Sequence, residues 1–285
     1  MEKSMSQFGI EENETTISSS VPEKVAALYD DPAGQGGHLI FDGQFHWGYW
    51  DENNPDASLG EAADRLTQIM IDKSDISEGQ RFCDLGCGVG VPAMRIAKAK
   101  GCFVDAITIS EYQYNRAKQL IEEAGMSDRV HFIHGNALSM PCEDATYDGG
   151  WFFETIFHMG HREALREAAR ILKPGATLMI ADLPTRPHIT EEFKQFVKET
   201  IHSVFIPKAD YPGLLDEAGF DLIEIDDITE FVIPPLVPKV KVGFKQYETQ
   251  ILEYVERDAI DRWVRMFEDM CANLGYMLVK AKKRA

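Results

Sequence analysis

The sequence predicts an α/β protein: a doubly wound, mostly parallel, seven-stranded sheet carrying a helical lid. Three observations predict it. Short apolar runs alternate with stretches of helical periodicity between residues 58 and 182, and such alternation implies βαβ units with helices on both faces of a parallel sheet. One run, Phe82-Cys83-Asp84-Leu85, ends in the turn Gly86-Cys87-Gly88-Val89-Gly90, followed by Val91-Pro92 and a helical pattern to Lys100. Glycine gives such a turn access to positive φ, and proline suits the first turn of the helix because its missing N–H would be unpaired there. The length, 285 residues, fits one such sheet with an appended cap.

The elements follow in order. Val21 to Asp30 reads as a short helix. An aromatic, glycine-rich segment runs from Phe41 to Trp50, and Ser58 to Asp72 has helical periodicity with Ala62, Leu66, Ile69 and Met70 on one face. Strands are expected at about 80–85, 102–109, 130–134 and 147–153, with Ser110 capping a helix from Glu111 to Ala124. A helix from Arg162 to Leu172 should stop at Lys173-Pro174-Gly175, ahead of a fifth strand from Thr177 to Asp182. Further on, 190–206 reads as an amphipathic helix, 221–227 as a strand, 247–273 as one helical stretch and 275–281 as the last strand. Pro234, Pro235 and Pro238 argue against a long regular element over 229–245.

Composition limits the function. The formal net charge of −18, from 47 acids against 29 bases, opposes nucleic acid as a substrate, since phosphate binding relies on Lys and Arg. No apolar run reaches the 18 or so residues that a membrane helix needs. The first twenty residues lack a basic-then-apolar start and read as a polar, disordered tail rather than a secretory signal. Five cysteines without C-x-x-C pairing fit reduced thiols in the cytoplasm, and no metal site is expected.

The spacing G-x-G-x-G, with Asp84 two residues ahead, differs from the G-x-G-x-x-G of dinucleotide sites. It resembles the first motif of the class I S-adenosylmethionine-dependent methyltransferases, in the small-molecule, natural-product and sterol-like branch. That resemblance implies a Rossmann-like methyltransferase fold with S-adenosylmethionine as cofactor. It implies that Asp84, Gly86, Gly88 and Gly90 hold the amino-acid end of the cofactor. Ile107 to Gln113 resembles the ribose-side segment and implies Thr108, Ser110 and Gln113 there, although many relatives carry an acid at the Thr108 position; Ser110 reads equally as a helix cap. Gly135-Asn136-Ala137-Leu138 resembles the adenine-edge segment, implying Asn136 and Ala137. Residues 41–50 resemble a segment lying over the cofactor's exit, implying Trp50. The resemblance is good over residues 40–185 and looser beyond. It divides the chain into a tail (1–20), N-terminal helices with the aromatic lid segment (21–78), a cofactor-binding core (79–183), and the rest of the sheet with a helical substrate lid (184–285).

After strand four, Phe153-Glu154-Thr155-Ile156-Phe157-His158 has a Glu-x-x-x-His spacing frequent in that branch. His158 is the candidate base, because its ordinary pKa lies near neutrality. Glu154 is expected to orient it, face the acceptor or bond local backbone; Asp182, ending strand five, is expected as its partner. His161 reads as a helix cap and His46 as part of a mobile segment. Nine rings, Phe41, Phe45, Trp47, Tyr49, Trp50, Trp151, Phe152, Phe153 and Phe157, lie near the expected cofactor mouth, with Trp151 and Phe153 expected in the core and the others forming an apolar acceptor pocket. The expected reaction is methyl transfer to a bulky, mainly apolar small molecule, at O, N or C. Methylation of a prenyl or terpenoid alkene through a carbocation is the alternative. A non-catalytic cofactor-binding partner, a nicotinamide-dependent oxidoreductase and a homo-oligomeric state also remain open.

Overall fold

A computed structural model describes residues 21–31 and 37–285; the tail expected over 1–20 lies outside them. The helices are α1 (Val21–Asp30), α2 (Leu59–Lys73), α3 (Val91–Lys100), α4 (Glu111–Glu123), α5 (His161–Ile171), α6 (Glu191–Thr200), α7 (Tyr211–Ala218), α8 (Thr229–Gln246), α9 (Glu248–Ile251) and α10 (Arg257–Asn273). The strands are β1 (Arg81–Leu85), β2 (Phe103–Thr108), β3 (Val130–His134), β4 (Tyr147–Phe153), β5 (Leu172–Asp182), β6 (Phe220–Asp227) and β7 (Met277–Lys283). They form one seven-stranded sheet in the order β3-β2-β1-β4-β5-β7-β6, in which β3 to β5 pair in parallel and β7 runs antiparallel between β5 and β6. The order reverses beside β1, and in open α/β sheets such a switch point is where ligands bind.

Local chemistry explains the better-defined ends. Ser58 caps α2 by accepting from the Glu61 N–H at 3.2 Å, while Glu61 accepts from the Ser58 N–H at 2.8 Å, a reciprocal capping box. Ser110 caps α4 through the Gln113 N–H. Two buried clusters, one on each face, fill the space between sheet and helices.

Several expectations need correction. Lys173-Pro174-Gly175 does not separate helix from strand: α5 passes directly into β5 at Leu172. Leu172 pairs with Tyr147 and Thr177 with Gly149, so four residues of β5 bulge out against one of β4, which accommodates the proline and the positive φ of Gly175. The helical stretch at 190–206 ends at Thr200, and 247–273 splits into α9 and α10.

The largest difference is α8, an 18-residue helix containing all three prolines. Each interior proline costs a helix about 3 kcal/mol, by losing a hydrogen bond and crowding the carbonyl four residues back. Two features offset this. Val232, Leu236, Val240 and Phe244 form one buried stripe, each residue at most 3% exposed, and full burial of such side chains is worth roughly 1.5–3 kcal/mol apiece. The Phe231 carbonyl, which Pro235 leaves without its helical donor, accepts instead from the Trp50 N–H at 2.9 Å. The aromatic segment thus replaces the donor that one of the three prolines removes.

Because Ser58 lies far along the chain from the ligand-binding turns and its cap is reciprocal, Ser58→Ala should lower the unfolding free energy by about 1 kcal/mol and the melting temperature by a few degrees. Denaturant and thermal unfolding check this; an unchanged midpoint would contradict the cap's role.

Candidate active site

One cavity opens at the carboxyl ends of β1 to β4. Its floor includes Asp84, the turn Gly86-Cys87-Gly88, Thr108, Asn136, Ala137 and Phe153. Pro22, Val25 and Tyr29 of α1 cover it, together with Gln44, Phe45 and His46 of the aromatic segment. Asp30 fixes the end of α1: its Oδ1 accepts from the Ser110 hydroxyl at 2.6 Å and the Tyr112 N–H at 3.1 Å, at the electropositive start of α4.

Asp84 sets the electrostatics. It is 1% exposed, and neither carboxylate oxygen has a hydrogen-bond partner among the described residues. Burial pushes its carboxyl up to about 7; the indole N–H of Trp151 lies close enough to offset part of this without reaching hydrogen-bond geometry. A buried carboxylate lacking a protein partner calls for a cationic group from outside the chain. The neighbouring glycines serve different needs. Gly90 has φ of 82°, and a Cβ there would lie 2.2 Å from the Phe132 ring, so packing requires glycine. Gly88 has φ of 55° and nothing within 4 Å of a would-be Cβ, leaving space on the cavity side for a ligand.

On the β2 side, the Thr108 hydroxyl donates to Gln113 Oε1 at 2.8 Å, and both residues line the cavity. Ser110 does not: its hydroxyl is committed to Asp30 and to capping α4. Asn136 Oδ1 already accepts from the Leu138 N–H at 2.9 Å. Trp50 is away from the cavity, buried, with its indole N–H donating to the Ala57 carbonyl.

Most of the aromatic segment is core. Trp47 packs near Phe267 and Tyr276, and Tyr49 stacks on Phe231. Of the nine rings, only Phe45 and Phe153 line the cavity. The wall also takes in α1 and His46, which is buried, stacked on Phe153 at 4.2 Å and hydrogen-bonded to the Trp47 carbonyl. Burial pushes the His46 imidazole down to about 4.

Glu154 and His158 both line the cavity but do not pair. Glu154 follows β4 with φ of 53°, and between it and His158 only Ile156–His158 is helical, as a single 3-10 turn, so helical four-residue spacing does not apply. Glu154 Oε1 accepts instead from the Trp47 N–H at 2.8 Å and from the Tyr276 hydroxyl. Burial raises its carboxyl to about 8, only partly offset by those two bonds. His158 has Tyr29 at Nε2 (2.8 Å) and Ser203 at Nδ1 (3.1 Å), and burial lowers it to about 4. Asp182 is not its partner. Fully buried and off the cavity wall, Asp182 accepts from His161 Nε2 at 2.9 Å and from the Tyr211 hydroxyl. His161 is therefore no cap; the N-cap of α5 is Gly160.

Residues 83–180 match the family described as a methyltransferase domain. Over 95% of its length and 99% of the relative's, the chain is 32% identical to (+)-O-methylkolavelool synthase of Herpetosiphon aurantiacus. The chain belongs to the class I S-adenosylmethionine-dependent methyltransferases. A further relative, 27-O-demethylrifamycin SV methyltransferase of Amycolatopsis mediterranei, is 33% identical over 84% of this chain and 89% of its own. Among solved structures, the 4+2 cyclase SpnF superposes with a TM-score of 0.80 at 26% identity, covering 95% of this chain and 98% of that one. The methyltransferase uses S-adenosylmethionine to methylate small molecules, and the oxidoreductase and non-catalytic readings fall away. Among the described residues no helix is long and apolar enough to cross a membrane.

The cavity's chemistry fits that cofactor. An unpaired buried carboxylate suits its ammonium, and the open side of Gly88 leaves room for it beside the turn. Ammonium pairs only with ionised Asp84, which the free methyltransferase protonates below about pH 7. Affinity for S-adenosylhomocysteine should therefore rise with pH up to about 7 and level off above, with a proton released on binding below that point. Calorimetry from roughly pH 5.5 to 8.5 checks this, and a profile flat across pH 7 would contradict it.

Proposed function

We propose that the methyltransferase O-methylates an uncharged, bulky, mainly apolar alcohol, with His158 as general base. The observation that carries this reading is the character of the cavity wall. His158 stands there neutral among Val25, Phe45, Phe153 and Met159, and no Lys or Arg among the described residues lines the cavity. A phosphate- or carboxylate-bearing acceptor would enter without a counter-charge, whereas a neutral one avoids that desolvation penalty.

Asp84 is assigned to the cofactor's ammonium, the Thr108–Gln113 pair to its ribose side, and Asn136 with Ala137 to its adenine edge. When bound, the cofactor supplies a methyl group already activated on a sulfonium. The chain's own work is to position the acceptor, exclude water and accept a proton. As the acceptor oxygen gains the methyl, its hydroxyl proton passes to the Tyr29 hydroxyl, which hands its own proton to His158 Nε2, 2.8 Å away. The imidazole's low basicity suits an acceptor oxygen that becomes strongly acidic as its bond to carbon forms.

The names of both relatives given above place the methyl on oxygen, which supports the same choice. Carbocation chemistry is the weaker reading because Glu154, raised to about 8, is mostly protonated at neutral pH and supplies no anion. Five free cysteines support a reducing compartment such as the cytoplasm.

Methyl-labelled cofactor offered with a neutral terpenoid alcohol, the corresponding diphosphate and an aliphatic amine tests the proposal. Label should enter the alcohol, and His158→Ala should reduce kcat by a factor of about 10²–10⁴. Preference for the diphosphate, or an unimpaired His158→Ala enzyme, would refute it.

A further inference from the structure

Building on the reading of His158 as base, we propose that Ser203 is a positioning residue that holds the His158 ring as the Nδ1–H tautomer and so keeps Nε2 as the proton-accepting nitrogen, reached from the cavity through the Tyr29 hydroxyl. The inference follows from where each proton must go. The Ser203 hydroxyl is 1% exposed and donates to the Ile201 carbonyl at 3.1 Å. With its proton committed, Ser203 Oγ faces His158 Nδ1 at 3.1 Å as an acceptor, and Nδ1 must carry the hydrogen. Nε2 is then unprotonated and accepts from the Tyr29 hydroxyl at 2.8 Å. All three hydrogen bonds are satisfied only in this tautomer.

The backbone fixes Ser203 from both sides. The Ser203 N–H donates to the Val197 carbonyl at the end of α6, and the Val204 N–H donates to the Phe157 carbonyl, one residue before His158. Between α6 and Ser203, His202 takes φ of 52°, a conformation non-glycine residues adopt at a cost. Asp182, engaged with His161 and Tyr211, leaves this role to a hydroxyl rather than a carboxylate.

Imidazole ¹⁵N spectra of the histidine-labelled, full-length protein read the tautomer without any turnover. The expected wild-type spectrum has a protonated Nδ1 and an unprotonated Nε2 on His158. Ser203→Ala should convert this to a mixture or to the Nε2–H form, and Tyr29→Phe should leave the tautomer unchanged. In turnover, Ser203→Ala should lower kcat about tenfold, the worth of one hydrogen bond, with little change in KM. An Nε2–H tautomer in the wild type overturns the proposal outright, even where Ser203→Ala fails to fold. Conversion by Tyr29→Phe with none by Ser203→Ala would also overturn it, assigning the role to Tyr29. If the tautomer behaves as expected while His158→Ala stays fully active, the positioning claim stands and the base assignment fails, so the two are separable.

Discussion

Asp84 carries a buried carboxylate near the carboxyl end of β1, an interior strand of the sheet, with no hydrogen-bond partner among the described residues. Everything around the site is arranged to keep it so. Gly90 lets the turn pack against Phe132, Gly88 leaves an open side, and α1 with residues 44–46 closes the roof. An isolated carboxyl costs stability when it ionises in such surroundings, so the unliganded chain holds a proton there up to about pH 7. A cationic ligand reverses that balance, which makes the site selective for charge before shape is considered.

The same exclusion of water governs the neighbouring groups. Glu154 is pushed upward and His158 and His46 downward, in each case chiefly by burial. Acid and base are therefore both neutral at the cavity wall. This arrangement suits a reaction in which the cofactor already carries the activation and the protein supplies order and dryness. The polar partners that fix these side chains come from distant parts of the chain: Trp47 and Tyr276 on Glu154, Tyr29 and Ser203 on His158. The N-terminal segment and the region after β5 are thus parts of the site and not appendages to it.

Much of the architecture was legible because it is locally encoded. α1, β3 and β4 fall where apolar runs and breakers put them, and the cap at Ser110 was visible as side-chain chemistry next to a periodic run. The glycine turn and its acid could be read for the same reason. What escaped depends on long-range contacts. The prolines of α8 signal a break, and only the buried stripe and the Trp50 N–H 181 residues before Phe231 outweigh them. The resemblance of residues 41–50 to a family segment places Trp50 over the cofactor's exit, yet it packs in the core. Tyr29 and Ser203 are ordinary residues in their local sequence, and nothing short of the fold brings them to His158. The Asp182–His161 pair misled for a related reason: a strand-end acid faces the crevice in general, but here a histidine at the start of α5 and Tyr211 engage it inside the core.

The central claim is that the cofactor's ammonium completes Asp84. The most direct measurement is a two-by-two binding comparison: wild type and Asp84→Asn, each titrated with S-adenosylhomocysteine and with methylthioadenosine, which keeps the nucleoside and lacks the amino-acid end. The account predicts that Asp84→Asn weakens S-adenosylhomocysteine by a factor of about 30 or more, the scale of a lost buried charge pair, and leaves methylthioadenosine unaffected. Equal losses for both ligands, or no loss for either, would contradict it.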